Sequence, residues 1–250
     1  MNLNKQVEAL VLSFLSNTVL VLSSEDKRLL IEHGYMNISG FPTAKSLKQY
    51  LDKFVVGKAK LPLVTQLKID STLGGSNDLD VLFSKVVRLL GVFPKSAGFV
   101  VTHDRSYYLH GISNLLDHKP YHEAKDIKGL LNMLDRPEDL LSVIESDFSL
   151  NPLVIKYSSE EVKDLSEESV LISRYFYLSD ADYLKSGYLG VLAPKKTNYD
   201  DAIAMVEYIG RLLENKLPIK SEVVRFTSDS NVAKKTKFNF NDFVSFFSGR

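Results

Sequence analysis

Residues 107–116, YYLHGISNLL, decide how the second half of the chain is interpreted. A strand-like run leads into Gly111 and a small polar pair, and an apolar run follows. Glycine is typical of strand ends, and serine or asparagine is typical of helix N-caps. We therefore predict that Gly111 ends a strand and that Ser113 or Asn114 caps a helix beginning at Leu115.

Histidines around this stretch raise the alternative of a metal or catalytic site. His118 and His122 are four residues apart, as two ligands on one helix face would be. Three further candidate ligands lie nearby: His110, Asp117 and Glu123. Pro120 separates the two histidines, and no third ligand has the spacing of a known zinc motif. Because no nucleophile, base and orienting group occur together either, the sequence predicts no catalytic residue, no metal and no cofactor.

The composition is that of an ordinary globular protein. Of 250 residues, 44% are apolar and 25% are charged, with 31 Lys and Arg against 31 Asp and Glu. Because the charges balance, no overall electrostatic field attracts the chain to nucleic acid or membrane. Any such binding must therefore depend on a local charged patch. The absence of cysteine excludes disulfides and thiolate sites and is typical of a reducing compartment.

The N-terminal apolar stretch, ALVLSFLSNTVLVLSS, raises the question of a secretion signal. Ser13, Ser16, Asn17 and Thr18 interrupt it, which disfavours a signal peptide. No other uncharged run approaches the roughly 18 residues that a membrane span requires. We therefore predict a cytoplasmic protein with no membrane partner.

Hydrophobic periodicity predicts three helices in the first 60 residues. They cover residues 5–15, the segment SSEDKRLLIEHGYM, and AKSLKQYLDKFV, with the turn NISGFPT before the third. Ser23 or Ser24 is the predicted N-cap of the second helix, and Gly34 its C-terminal stop. The glycine pair in STLGGSND is the best domain boundary, near residues 71–78.

Beyond that boundary the pattern predicts a mixed α+β domain with a mostly antiparallel sheet. Two strands form a hairpin across Asp104 and Arg105, three more follow Pro152, and helices lie before, between and after them. The predicted helices cover residues 79–90, 125–134, 138–144 and the segment NYDDAIAMVEYIGRLLENKL. Thr197 or Asn198 would cap the last helix. Lys195 and Lys196 before it either bind an anion or form a solvated pair.

Two blocks resemble the heat-inducible transcription repressor family HrcA. One is YYLHGISNLLDHKPYHEAKDIKGLLNMLDRPEDLLSVI, and the other is GYLGVLAPKKTNYDDAIAMVEYIGRLLENKL. Further upstream, IEHGYM, ISGFPT and KQYLDKF stand where the family has the end of its recognition helix, its wing and the following helix. Two features depart from the family: Phe41 replaces a wing arginine, and the first two helices lie too close to hold a full helix between them.

The resemblance implies a small winged-helix-like N-terminal domain at residues 1–70, of degenerate form. It also implies a GAF-like domain at 78–217, whose mostly antiparallel sheet is flanked by helices, and a C-terminal tail at 218–250. The family's inserted dimerisation domain would fall at THDRSYY, where only Asp104 and Arg105 fill the gap. A homodimer must therefore form through the sheet, a terminal helix or the N-terminal domain.

The implied function is repression of heat-shock and chaperone genes by a homodimer that binds double-stranded DNA and depends on a chaperonin. Residues 1–70 hold nine Lys or Arg against six Asp or Glu, which places positive charge where phosphates would be contacted. The predicted DNA-binding residues are Lys27, Arg28, Lys45 and Lys48. The alternative is a protein-interaction or ligand-sensing GAF-like module that has lost DNA binding.

The tail carries five phenylalanines, Phe238, Phe240, Phe243, Phe246 and Phe247. Five such side chains are too apolar to leave in water. We predict that the tail docks on its own domain or on a partner subunit, with a frayed terminus as the alternative.

Overall fold

A computed structural model describes residues 3–75, 78–92, 96–116, 136–145, 153–157, 169–179, 184–216, 222–224 and 235–237. The predicted helix at 125–134 and the phenylalanine-rich tail from residue 238 lie outside these ranges. Four of the five candidate metal ligands also lie outside them, and His110 is the fifth.

Eight helices and seven strands are present in the described residues. The helices are α1 Leu3–Ser16, α2 Ser24–Glu32, α3 Ala44–Phe54, α4 Leu63–Leu73, α5 Leu79–Val92, α6 Ile112–Leu116, α7 Pro137–Glu145 and α8 Tyr199–Lys216. The strands are β1 Ala97–Thr102, β2 Tyr107–His110, β3 Leu153–Tyr157, β4 Ser169–Ser179, β5 Leu184–Pro194, β6 Glu222–Val224 and β7 Lys235–Lys237.

Five strands form one sheet in the order β2-β1-β5-β4-β3, and every neighbouring pair is antiparallel. The register places Phe99 of β1 and Ser173 of β4 on either side of Gly190 of β5. This arrangement confirms the predicted α+β class with its mostly antiparallel sheet and flanking helices. Strands β6 and β7 form a separate two-stranded ladder.

Each face of the sheet carries its own layer of helices, because strand side chains alternate between faces. Ile172 and Phe176 of β4 belong to the core formed with α5 and α8. Leu171 and Tyr175 of the same strand belong to the opposite core, with α6 and α7. Buried residues of α1 and α3 join the first core, so the N-terminal helices and one sheet face share a hydrophobic cluster.

In the stretch between β2 and α6, Gly111 and Asn114 have structural roles. Gly111 has a φ of 88°, which favours glycine, and an added Cβ would lie 2.6 Å from the Ser96 carbonyl oxygen. The predicted cap is wrong, because α6 begins at Ile112 and Asn114 lies inside it. The Asn114 amide donates to the carbonyls of Gly91 and Ser96 at 3.0 and 3.1 Å. It therefore joins the turn to α5 and to the start of β1 instead of capping its own helix.

Helix α4 was not predicted from the sequence. Ile69 and Leu73 are buried, but Leu63, Val64 and Leu67 are exposed by 68%, 79% and 59%. Apolar residues therefore lie on the exposed side of the helix as well as on the buried side, and the 3.6-residue period that marks an amphipathic helix is blurred.

Candidate nucleic-acid interface

Helix α2 has the N-terminus that its sequence predicts. Ser23 is the N-cap, and its hydroxyl accepts a hydrogen bond from the Asp26 amide at 3.1 Å. The Asp26 carboxylate accepts from the Ser23 hydroxyl at 2.7 Å and from the Gln6 amide on α1. Asp26 is thus committed to capping α2 and to joining it to α1.

The solvent face of α2 carries two of the predicted DNA-binding residues. Leu30 is fully buried, whereas Lys27 and Arg28 are exposed. Arg28 forms an i,i+4 ion pair with Glu32, with 3.4 Å between Nε and Oε1 and both side chains more than half exposed. Such a pair contributes little free energy in water, so Arg28 can exchange it for a phosphate.

The other two predicted residues, Lys45 and Lys48, lie on the exposed side of α3. The Lys45 ammonium donates to the carbonyl of His33, the C-cap of α2, at 2.8 Å, and it lies 4.5 Å from the Tyr35 ring centroid. Lys45 therefore joins the end of α2 to the start of α3. Lys48, one turn later, shares a shallow exposed depression with Lys45 and Gln49.

A short hairpin connects α2 to α3 at the position of the predicted wing. Met36 and Pro42 form an isolated antiparallel bridge, and the Phe41 amide donates to the Asn37 side chain at 2.9 Å. The loop between the bridged residues contains no basic residue, and the Phe41 ring packs edge-on against Phe14 with centroids 6.3 Å apart. Basic side chains in this region are thus supplied by the helices, not by the hairpin.

A groove of about 530 Å³ lies between the end of α1, the segment that follows it, α2 and the hairpin. Lys27 lines it, and so does Lys196 from the turn before α8. The Lys196 ammonium donates to the Asn17 side chain at 2.7 Å and lies 4.7 Å from the Phe14 ring centroid. The sequence marked Lys196 only as a neighbour of the last helix, because nothing in it indicated the contact with α1.

The N-terminus of α8 is closed by its own side chains. The Asn198 side chain accepts from the Asp201 amide at 3.2 Å and donates to the Asp201 carboxylate at 2.7 Å. Of the two predicted caps, Asn198 forms these bonds. A carboxylate beside the helix start disfavours an anion at the helix N-terminus itself.

A polar cluster that the sequence did not indicate lies where α7 meets the sheet. The His103 ring is 3.1 Å from the Ser186 hydroxyl through Nδ1 and 3.0 Å from the Glu145 carboxylate through Nε2. The rings of Tyr175 and Tyr188 pack beside it. Burial is the main cause that raises the pKa of Tyr188 above its ordinary value, with the Glu145 charge adding to it. The cluster fixes the end of α7 on β5.

Comparison with known families gives a match over most of the chain. The family described as HrcA protein C terminal domain matches residues 16–203. The chain is also similar to a crystal structure of a hypothetical protein, with a TM-score of 0.57 and 15% identity over 85% of this chain and 96% of that one. At this identity, the likeness shows the fold alone.

Several curated relatives carry the name heat-inducible transcription repressor HrcA. The one from Chlorobium chlorochromatii (strain CaD3) is 24% identical over 46% of this chain and 32% of its own length. Those from Bradyrhizobium sp. (strain ORS 278) and Rhodopseudomonas palustris (strain BisB18) are 32% and 28% identical, over 63% and 80% of this chain and 41% and 54% of their own lengths. This chain thus spans about a third to a half of the relatives that it matches.

Proposed function

Because the chain belongs to the HrcA family, we propose that it is a transcriptional repressor of heat-shock and chaperone genes. In this proposal, residues 1–70 form the degenerate winged-helix-like domain that binds double-stranded DNA. A junction near 71–78 joins it to the GAF-like domain at 78–217, followed by a tail at 218–250. The names of the relatives support the role, and the family resemblance supports a chaperonin partner.

One observation carries the DNA-binding part of the proposal: α2 buries Leu30 and presents Lys27 and Arg28 to solvent. Asp26 would repel phosphates, but its carboxylate is occupied by bonds to α1 and to the N-cap. With Lys45 and Lys48 on the next helix, about four phosphates could be neutralised. At about 0.9 per phosphate, log K should fall against log salt with a slope of about −3 to −4.

The test is a fluorescence anisotropy titration of duplexes that carry the promoter regions of the host's chaperone genes. The double variant Lys27→Ala/Arg28→Ala should bind more weakly, with a salt slope shallower by about two units. A matched control, Arg88→Ala/Lys195→Ala, removes the same charge outside residues 1–70 and should keep the wild-type slope. If the wild type binds no duplex at about 50 mM salt, the repressor proposal fails. Equal binding by wild type and the double variant would discard this site alone.

We also propose that the protein is a homodimer, since a two-fold operator is matched most simply by a two-fold protein. The exposed apolar side chains of α4, Leu63, Val64 and Leu67, supply a surface for it. We expect Val64→Lys to lower the molar mass measured by light scattering toward that of one chain. Val81→Lys, at an exposed apolar position on α5, should leave it unchanged. A single-chain mass of about 28 kDa for the wild type at every concentration would refute the dimer.

The second candidate is an interaction or ligand-sensing module without DNA binding. The hairpin with no basic residue in its loop favours it, because the hairpin then has no cation to offer a phosphate. The anisotropy titration separates the two candidates, since this one requires no affinity for any duplex.

A further inference from the structure

The groove beside α2 has the size and lining of a ligand site. Its volume of about 530 Å³ falls within the range of small-molecule pockets, roughly 300–1,000 Å³. Its wall is mixed: polar groups of α1 and the hairpin lie beside apolar side chains, among them Leu10, Phe14, Leu22, Ile31 and Met36. Pockets that hold small ligands combine apolar side chains with a few well-placed polar groups.

The groove exists because an extended segment, and not a helix, follows α1. Residues 18–23 have no regular secondary structure. Leu20 and Leu22 line the groove, while Val19 and Val21 are exposed by 91% and 90%. This segment covers α1 and α2 incompletely, so Phe14 of α1 and Ile31 of α2 remain partly accessible. Ile38 of the hairpin, 93% exposed, also lines the groove and extends its apolar surface to solvent.

The charged lining of the groove has one sign. Lys27 and Lys196 are its charged residues, and no carboxylate is among the described residues that line it. The nearby Asp26 carboxylate is directed to Ser23 and Gln6. Lys196 is held by the Asn17 side chain and the Phe14 ring, so its charge is already positioned at the groove. Two lysines beside the apolar side chains of α1 and α2 complement a ligand with an anionic head and an apolar body.

We propose that this groove binds a single-chain amphiphile with an anionic head group, of the class of medium-chain fatty acids. The head group lies at the ammonium groups of Lys27 and Lys196, and the chain lies along the apolar side chains of α1 and α2. Lys27 is also one of the proposed phosphate contacts, but ligand binding is measured without DNA, so this proposal and the repressor proposal can fail separately.

The experiment is isothermal titration calorimetry of the full chain with decanoate below its micellar concentration. We expect one saturable site. Decan-1-ol, which has the same chain without charge, and acetate, which has the head group alone, should each bind at least about tenfold more weakly. Lys27→Met/Lys196→Met should weaken decanoate binding by about tenfold or more and leave the affinity for decan-1-ol unchanged.

Lys195→Met is the matched control, because this residue neighbours Lys196 but does not line the groove, and it should bind decanoate like the wild type. Both lysines of the double variant are exposed, and circular dichroism verifies that the variant is folded. An apolar-wall variant, Leu22→Asn, should lose affinity for decanoate and decan-1-ol together. The proposal is overturned if decanoate does not saturate, if the alcohol binds equally well, or if the double variant binds decanoate like the wild type.

Discussion

The partly buried ion pair between Arg174 of β4 and Glu214 of α8 gives the sharpest test of the packing between sheet and helix. The guanidinium and the carboxylate form two bonds, Nη1 to Oε1 at 2.8 Å and Nη2 to Oε2 at 3.0 Å. A third bond runs from Nη1 to the Tyr175 carbonyl at 3.1 Å. The side chains are only 8% and 20% exposed. Replacing Glu214 with alanine would leave the Arg174 charge without its carboxylate in a poorly solvated place.

The expected cost follows from that burial. Removing one partner of a buried pair costs about 3–5 kcal/mol, and the 20% exposure of Glu214 places this pair near the lower value. For a chain of this length, each kcal/mol shifts Tm by about 2–4 °C, so Glu214→Ala should lower Tm by about 6–12 °C. Replacing both partners, in Arg174→Met/Glu214→Leu, should cost less than the single change, because no unpaired charge remains.

Thermal and urea unfolding followed by circular dichroism measure these differences. Glu32→Ala is the matched control, since it removes a carboxylate whose partner, Arg28, is 71% exposed, and it should cost less than about 1 kcal/mol. The reasoning is wrong if Glu214→Ala is no more destabilising than this control. It is also wrong if the double variant is as unstable as the single one, because the loss would then come from packing and not from an unpaired charge.

Three further substitutions test local features. Asn114→Ala should cost about 1–3 kcal/mol in urea unfolding, since two carbonyl groups lose their donor. Burial, together with the hydrogen bond from its hydroxyl to Asp80, raises the pKa of Tyr108 from 10.0 to about 12. The folded state therefore favours the neutral phenol. The stability that Tyr108 contributes is present below about pH 10 and is lost between about pH 10 and 12. In urea unfolding at these pH values, Tyr108→Phe should show a smaller decline of stability with pH than the wild type. Lys45→Met should cost about 0.3–1 kcal/mol, because the His33 carbonyl at the end of α2 loses a cation.

Much of the fold could be predicted because its signals are local. Runs rich in β-branched and aromatic residues marked all five strands of the main sheet, and Ser23 and Gly34 marked the two ends of α2. Helix α4 could not be predicted, because apolar residues lie on its exposed face as well as on its buried one. The cap assigned to Ser113 or Asn114 failed for another reason: the Asn114 side chain bonds to carbonyls 18 and 23 residues away.

In the candidate site, too, sequence patterns predicted the basic residues but not all of their contacts. The four predicted basic residues could be chosen from the sequence, since charge and helix period place Lys27 and Arg28 on α2 and Lys45 and Lys48 on α3. That Lys45 also closes α2, and that Asp26 is bonded to α1, depends on how the helices pack. Periodicity gives the face of a helix on which a side chain lies but not the neighbour that it meets.

The sequence by itself determined the α+β class, the five strands of the main sheet and every described helix except α4, because these depend on residue type, on side-chain period and on the backbone preferences of a few capping and turn residues. Only the tertiary structure decided which distant groups meet. Lys196 bonds to Asn17, 179 residues away, and Arg174 bonds to Glu214, 40 residues away. Gly210 of α8 is needed for the second pair, since a Cβ there would lie 2.5 Å from the Arg174 guanidinium. No local sequence pattern predicts these contacts, because the residues of each pair lie far apart in the chain and meet only when the helices and strands pack together.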